Sequence, residues 1–471
     1  MIDSNTLATL RILFWMLAVL AIVLPPRWSL LSYILLTHVD LSGPMFDSTY
    51  SLGIENGIKI VIIPTILLIR FGWNPDWPPA WKRIGAIWAA LFALAAITIF
   101  WTPYRLSAVK MGGYLYSYIV IFLVLVVAWR NRWIEARTIT LSIVVAFCLA
   151  LVQTYSMDNP FGREDESTYA SRFTSFCSPQ AFAAFMLGAG AVLAAARRYR
   201  LTHWIGISFA LLGVVLSGSR YAFGGLACFI LIFAFGRTVR HKKKLAFAIL
   251  KAAVAGSLVI VIIIATILHY DKNNRMMELF TEKLTTPDAL EDIGTFADRI
   301  SIYTAAFDAM QGRPTAKVIF GSGTSSGTTV MLMAHPELAD KVDGNRAFHN
   351  EFLRSFYEWG AIGLALFIAF WFFVVRQAWI LAIRQKSLAG LAALAFLPAI
   401  FFGLMIENIL ANSGAPGGMG IVLVLSLAAA TASEYFAWTR RFVDAPAPDR
   451  RVEPNRYRPP VPATNPRPAE S

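Results

Sequence analysis

A chain of 471 residues in which 57% are hydrophobic and only 15% charged departs far from a soluble protein, where about a quarter of residues carry charge. This composition excludes a disordered chain, a coiled coil and an ordinary cytosolic enzyme, and it points to a polytopic membrane protein. The formal net charge of +13 invites a nucleic-acid partner only until the charges are placed along the chain.

A bilayer core takes roughly 20 apolar residues per helix. In chain order such runs fall at 56–72, 84–101, 111–129, 138–155, 179–196, 203–217, 221–236, 245–269, 357–376, 388–409 and 417–438. The region 12–38 adds one span, or two short ones broken at Pro25-Pro26. The expected fold is therefore an all-α polytopic membrane protein with about 12 transmembrane helices, or 13. The first run ends in Pro25-Pro26-Arg27 with no small-residue cleavage site, and reads as a retained anchor. Cys148, Cys177 and Cys228 are scattered and form neither a disulfide framework nor a metal spacing.

Lys and Arg accumulate on the cytoplasmic side of membrane proteins. Here they cluster at every second loop: Arg70/Lys82/Arg83, Arg130/Arg132/Arg137, Arg197/Arg198/Arg200, Arg237 with Arg240 to Lys244, Arg376/Arg384/Lys386, and the tail. These hold 24 of the 42 basic residues, so the positive excess is mostly an orientation signal and no nucleic acid is called for. The C-terminus is cytoplasmic, and so is the N-terminus if 12–38 crosses once. The intervening loops then face the opposite, outer side of the membrane.

Four segments follow from this: 1–269, with the first nine or ten spans; 270–350, a large outer loop; 351–438, with the last three spans; and 439–471. The outer loop has 11 acidic and 8 basic residues. Within it Ile300, Tyr303, Ala306, Phe307 and Met310 recur at helical spacing and predict an amphipathic helix. A loop of this length in a compact protein is usually functional. The tail holds eight of the 23 prolines and seven arginines; it cannot build a core and is expected to be disordered, with its arginines near anionic headgroups.

Polar groups on the outer side form four constellations. Leu216-Ser217-Gly218-Ser219-Arg220-Tyr221 makes a tight turn that sets Arg220 at the start of a membrane helix. The small residues beside it, Ser219 included, let a phosphate approach the backbone. The bland alternative is a snorkelling interfacial arginine. Ser171-Arg172-Phe173 through Ser178-Pro179-Gln180 enters the next span, with Ser178 as N-cap and Pro179 first in the helix; Arg172 adds a second outer cation. Arg299 opens the amphipathic helix, and Gly321-x-Gly323 marks a later turn that lacks the Lys-Ser/Thr of a nucleotide loop.

The fourth is Asp343-Gly344-Asn345-Arg346-Ala347-Phe348-His349-Asn350-Glu351, running on to Glu358-Trp359-Gly360. Asn350 is the expected N-cap of a helix entering the membrane, which puts His349 at the positive end of a helix dipole and favours a neutral, basic imidazole. An ordinary loop histidine is the alternative. Arginines are always charged and bidentate, suited to diphosphate, and a histidine beside them can take a proton from an attacking hydroxyl. Histidines 335, 269 and 38 have no Cys or acidic partners at ligand spacing, so no metal and no cofactor is expected. The chemistry indicated is transfer from a diphosphate-linked lipid donor, because soluble nucleotide sugars are not available on the outer side.

These motifs resemble the O-antigen ligase and O-antigen polymerase superfamily of bacterial envelope proteins. The resemblance runs from about 105 to 437. It rests on the Ser217-Gly218-Ser219-Arg220 turn, the Arg172-Phe173 to Gln180 segment, Arg299 with Gly321-x-Gly323, and His349-Asn350-x-x-Leu353 to Glu358-x-Gly360-x-x-Gly363-Leu364. It implies a glycosyltransferase whose donor is an undecaprenyl-diphosphate glycan and whose acceptor is lipid A-core, or another lipid-linked glycan in the polymerase branch. Carried over by position, His349 acts on the acceptor hydroxyl and Arg220 and Arg299 are catalytic through the diphosphate. Arg172, Ser219, Arg346 and Asn350 bind substrate. Gln180 stands where relatives commonly have Asn, and the Pro/Arg tail is not a family feature. A lipid-glycan flippase and a non-catalytic assembly protein are the readings from other classes. A transporter calls for ionisable groups at mid-membrane depth and an internal repeat, whereas Lys59 and Lys251 lie near span ends.

Overall fold

In the computed structural model, residues 4–39, 55, 57–72, 77–156, 179–217, 219–240, 294–336, 348, 350–406 and 416–443 are described. The secondary structure among them is entirely helical. The α-helices are α1 (Ser4–Val23), α2 (Pro26–Thr37), α3 (Ile63–Phe71), α4 (Pro79–Ile97), α5 (Arg105–Arg130), α6 (Ala136–Ser156), α7 (Pro179–Ala194), α8 (Leu201–Leu216), α9 (Arg220–Arg240), α10 (Gly294–Met310), α11 (Thr315–Phe320), α12 (Gly327–Ala334), α13 (Glu351–Trp379), α14 (Leu388–Ile406) and α15 (Pro416–Val443). A π-turn, Ile58–Ile62, leads into α3, and a second, Ile380–Arg384, closes α13.

Several boundaries have simple local causes. Pro26, Pro79, Pro179 and Pro416 each open a helix, where the fixed φ and missing N–H of proline are harmless. Gly72 ends α3 at φ 77°, a conformation that suits glycine at a helix C-terminus. Among the described residues, seven helical stretches are long and apolar enough to cross a membrane: 79–100, 105–130, 136–153, 221–239, 351–384, 388–405 and 418–436. Shorter apolar helices lie at 8–23, 180–194 and 201–216. The described residues are thus all helical, as suits a multi-pass membrane protein. The expected span at 245–269 lies outside the described residues. So does most of the proline-rich tail, although α15 carries the helix through five residues, 439–443, of the segment expected as tail.

Helix ends sort onto two faces. On one, the α7–α8 turn meets the turn before α14, where Arg197, His203, Lys386 and Glu434 line a shared pocket and Arg237 donates to the Tyr199 hydroxyl. This is the face of the basic clusters. On the other, the end of α4 meets the loop after α11 and the start of α13 through Thr98, Thr324 and Trp359. The alternation of basic loops therefore corresponds to a physical sorting of helix ends.

The first helices decide between the two readings of 12–38. Arg70, at the basic end of α3, donates to the carbonyls of Ile22 and Val23 and to the Ser29 hydroxyl. The α1–α2 turn therefore lies on the basic face. At the far end of the pair, Arg11 is 3.5 Å from Glu55 and the buried Lys59 donates to the Val39 carbonyl at 3.4 Å. The region 12–38 thus runs to the basic face and back, so α1 begins on the opposite face and the single crossing with an N-terminus on the basic side does not hold. Pro25-Pro26 breaks the run, and Arg70 clamps the turn.

The centre of the bundle is α7 against α15, with α5 on the other side of α15. Apolar lipid gives helices no hydrophobic reason to associate, so close backbone approach between small residues carries the packing. A Cβ on Gly188 of α7 would lie 2.5 Å from the Gly420 carbonyl oxygen of α15. Along α5, Trp129 donates its indole N–H to Ser426 at 3.0 Å.

Candidate functional site

The site is built outward from the start of α13. Asn350 is its N-cap, and the Asn350 side chain accepts from the N–H groups of Phe352 and Leu353, both at 3.0 Å, satisfying two of the donors a helix N-terminus leaves open. Phe348 is fully buried, with its ring 5.1 Å from that of Tyr357, in a small core shared with Ile302 and Ala306 of α10 and Val330 and Met331 of α12. His349 lies outside the described residues, but both of its neighbours are anchored, one by packing and one by the cap.

Behind this lies a buried ion-pair cluster. Arg354 contacts Glu351 at 2.8 Å and Glu358 at 3.3 Å, with all three side chains nearly solvent-free. Spacings of three and four residues put the three groups on one side of the helix. The second oxygen of Glu358 accepts from the Gly327 N–H at 3.3 Å, tying α13 to α12. Removing one member of such a cluster strands a buried charge.

A backbone clasp completes the support. Gly360 breaks α13 at φ 67°, in the left-handed region that glycine enters freely. Gly321 has φ 81°. The N–H groups of Ser322 and Gly323 donate to the carbonyls of Tyr357 and Glu358 at 2.9 Å each. A Cβ on Gly321 would lie 2.1 Å from the Glu358 oxygen, and one on Gly360 2.2 Å from the Ile319 oxygen. The Gly321-x-Gly323 and Glu358-x-Gly360 motifs are thus two halves of a single contact. Next to it the Thr324 hydroxyl is 2.7 Å from that of Thr98, donates to the Ala95 carbonyl at 2.8 Å and accepts from the Trp359 indole at 2.9 Å, which pins the loop to the end of α4.

The Ser217–Arg220 turn reaches the same face. Ser217 donates its hydroxyl to the Val214 carbonyl at 2.7 Å and accepts from the Ser219 N–H at 3.3 Å. Arg220 is the first residue of α9, as expected, and is described by its backbone alone. The Ser219 hydroxyl is buried without a hydrogen-bond partner among the described residues, although it sits where a serine normally caps a helix. Helix α9 runs antiparallel to α14, with Gly225 against Ala399 and Gly236 against Leu391. That register sets Arg220 level with Met405, whose carbonyl accepts from Tyr303 of α10 at 3.4 Å. Arg299 lies one turn before Tyr303. The backbones carrying Arg220 and Arg299 are therefore brought to one end of the bundle.

Helix α10 exists as expected, and of the expected stripe Tyr303, Ala306 and Met310 face the small core while Ile300 and Phe307 do not. Ile302 and Ala306 are buried, while Ile300 and Phe307 are 38% and 59% exposed. The helix rests on the small core through the 302/306 face, which also carries Arg299 three residues before Ile302. Arg172 and Arg346 lie outside the described residues, as does Ser178. Among the described residues no group of three or more His, Cys, Asp or Glu side chains is placed to hold a metal ion.

The residues that support the site were not singled out as site residues by their sequence pattern. Glu351, Arg354 and Glu358 carry a readable signal, three charges on one face of an otherwise apolar helix. Thr98 and Thr324 carry none, since two threonines 226 positions apart show no local pattern.

Three of the four motifs, the α9 turn, Arg299 with the glycine pair, and the His349–Gly363 signature, fall in one stretch that a family comparison recognises. Residues 205–368 match the model of the O-Antigen ligase family. The match covers about a third of the chain, and Arg172 precedes it. The likeness to the O-antigen ligase family supports a lipid-linked glycan transferase-like role. No curated protein matches the chain.

Proposed function

We propose that the protein transfers a glycan from an undecaprenyl-diphosphate carrier to an acceptor hydroxyl, on the periplasmic side of the bacterial inner membrane, with lipid A-core as acceptor. The observation that carries the reading is the fixing of both neighbours of His349, at a capped helix N-terminus, within the stretch that resembles O-antigen ligases. His349 takes the proton of the acceptor hydroxyl as that oxygen attacks the anomeric carbon. The bond to the diphosphate oxygen breaks, and Arg220 and Arg299 hold the leaving diphosphate. Ser219, Asn350, Arg172 and Arg346 complete the binding surface. The helix N-terminus keeps the imidazole neutral and able to accept a proton.

The polysaccharide profile of a deletion strain tests this. Loss of surface-attached polymer with carrier-linked polymer retained is the expected result. Single repeats in place of long chains make the protein a polymerase that joins lipid-linked repeats. Accumulation of carrier-linked glycan on the cytoplasmic side makes it a flippase. An unchanged profile overturns the transferase reading.

A further inference from the structure

We propose that a groove on the membrane-facing side of α4 holds one acyl chain of an anionic phospholipid from the leaflet on the basic face. This inference is independent of the glycan-transfer reading. The groove encloses about 490 Å³ between α4, α5, α13 and α15, within the size range of small-ligand pockets. Its floor is aromatic: Trp81 and Trp88 of α4 are buried, Trp81 stacks on Phe122 with centroids 5.9 Å apart, and Trp88 packs on Phe370 at 4.5 Å.

The rim is different. Lys82, Gly85 and Ala89 line the groove and are exposed, and their spacing puts them on one stripe of α4. Since α4 belongs to a stretch long and apolar enough to cross a membrane, that stripe meets lipid. A Cβ on Gly85 would find nothing within 4 Å, so the missing side chain leaves the groove open there. The direction of entry is set by the helix ends. Lys82 stands in the first turn of α4, at the basic face, while the other end of α4 is pinned to Thr324. The groove thus begins at the headgroup level of one leaflet and reaches Tyr118, midway along α5.

Hydrocarbon is the filling that fits. A void of this volume forfeits dispersion contacts on the scale of a domain's whole stability. Apolar cavities do not hold water, and acyl chains are the solvent at this depth. At the mouth, the Lys82 ammonium, with the exposed Arg83 next to it, meets the headgroup phosphate and favours a lipid with net negative charge.

Native mass spectrometry of the full chain, released from nanodiscs of phosphatidylglycerol or phosphatidylcholine, tests this. The wild type is expected to keep one phospholipid through delipidation, with phosphatidylglycerol retained several-fold over phosphatidylcholine. Gly85→Phe and Gly85→Leu, which fill the opening, should each lose it with unchanged melting temperature, whereas Gly85→Ala should keep it. Lys82→Gln should keep the lipid and lose the headgroup preference. Equal retention in both filling variants, no retained lipid in the wild type, a polyprenyl phosphate as the bound mass, or no headgroup discrimination overturns the proposal.

Discussion

Two segments approach the same face of the bundle and are held in opposite ways. The Phe348–Gly360 segment is fastened by a capped helix, a buried ion-pair cluster, a glycine clasp and the Thr98–Thr324–Trp359 knot. The Ser217–Arg220 turn is held among the described residues by local hydrogen bonds, two of them made by the Ser217 hydroxyl, and it contains a buried hydroxyl with no partner among those residues. A group that must take a proton from a defined atom needs a fixed position, and sub-ångström placement of such groups depends on the shell behind them. A surface that grips a diphosphate instead needs donors left uncommitted until the ligand arrives. The contrast is the one expected if the first segment carries the base and the second grips the leaving group.

The largest effect expected from breaking the fastened side is at the clasp. Gly360→Val places a β-branched residue at positive φ and drives its Cβ into the Ile319 carbonyl, at a cost on the order of 5 kcal/mol. The expected outcome is a large fall in melting temperature in detergent together with loss of transfer. Next is the ion cluster. Arg354→Met leaves two buried carboxylates uncompensated and should cost about 3–4 kcal/mol. Replacing Arg354, Glu351 and Glu358 together by apolar residues of similar size should cost less than the single change, because no stranded charge remains. Denaturation curves of the two variants side by side check this order.

Thr324→Val removes the hub of the knot to α4 and leaves the buried Trp359 indole N–H without its acceptor, while the Thr98 hydroxyl keeps the Ala95 carbonyl and the residue-324 N–H. About 2 kcal/mol of destabilisation is expected, read by the same unfolding assay. The smallest stability effect sits in the other segment. Ser219→Ala breaks no hydrogen bond that the hydroxyl makes among the described residues and should stay within about 0.5 kcal/mol of the wild type, while weakening donor binding as seen in a raised KM for the lipid-linked glycan. A stability loss at Ser219 equal to that at Thr324 would erase the contrast between the two segments.

Much of this arrangement is legible in the residues. Apolar runs locate the helices, Arg220 opens α9 and Asn350 caps α13 because local chemistry alone decides them. What escapes is set by contacts far apart in the chain. The path of 12–38 turns on Arg70, more than 40 positions from the carbonyls it binds. The Gly321 and Gly360 motifs read separately as two turns and join only in space. The inward face of α10 is legible in part: Tyr303, Ala306 and Met310 turn to the small core while Ile300 and Phe307 do not, since periodicity counts apolar residues and does not say which of them meet protein.

The central claim is that position 349 performs the proton transfer from a position that its neighbours fix. The most direct measurement is transfer by the purified full-length protein with a lipid-linked glycan and its acceptor, comparing the wild type with His349→Ala. The account predicts a fall of roughly 100-fold or more in kcat, in the range of a lost general base, with an unchanged melting temperature. Full activity in His349→Ala would contradict it.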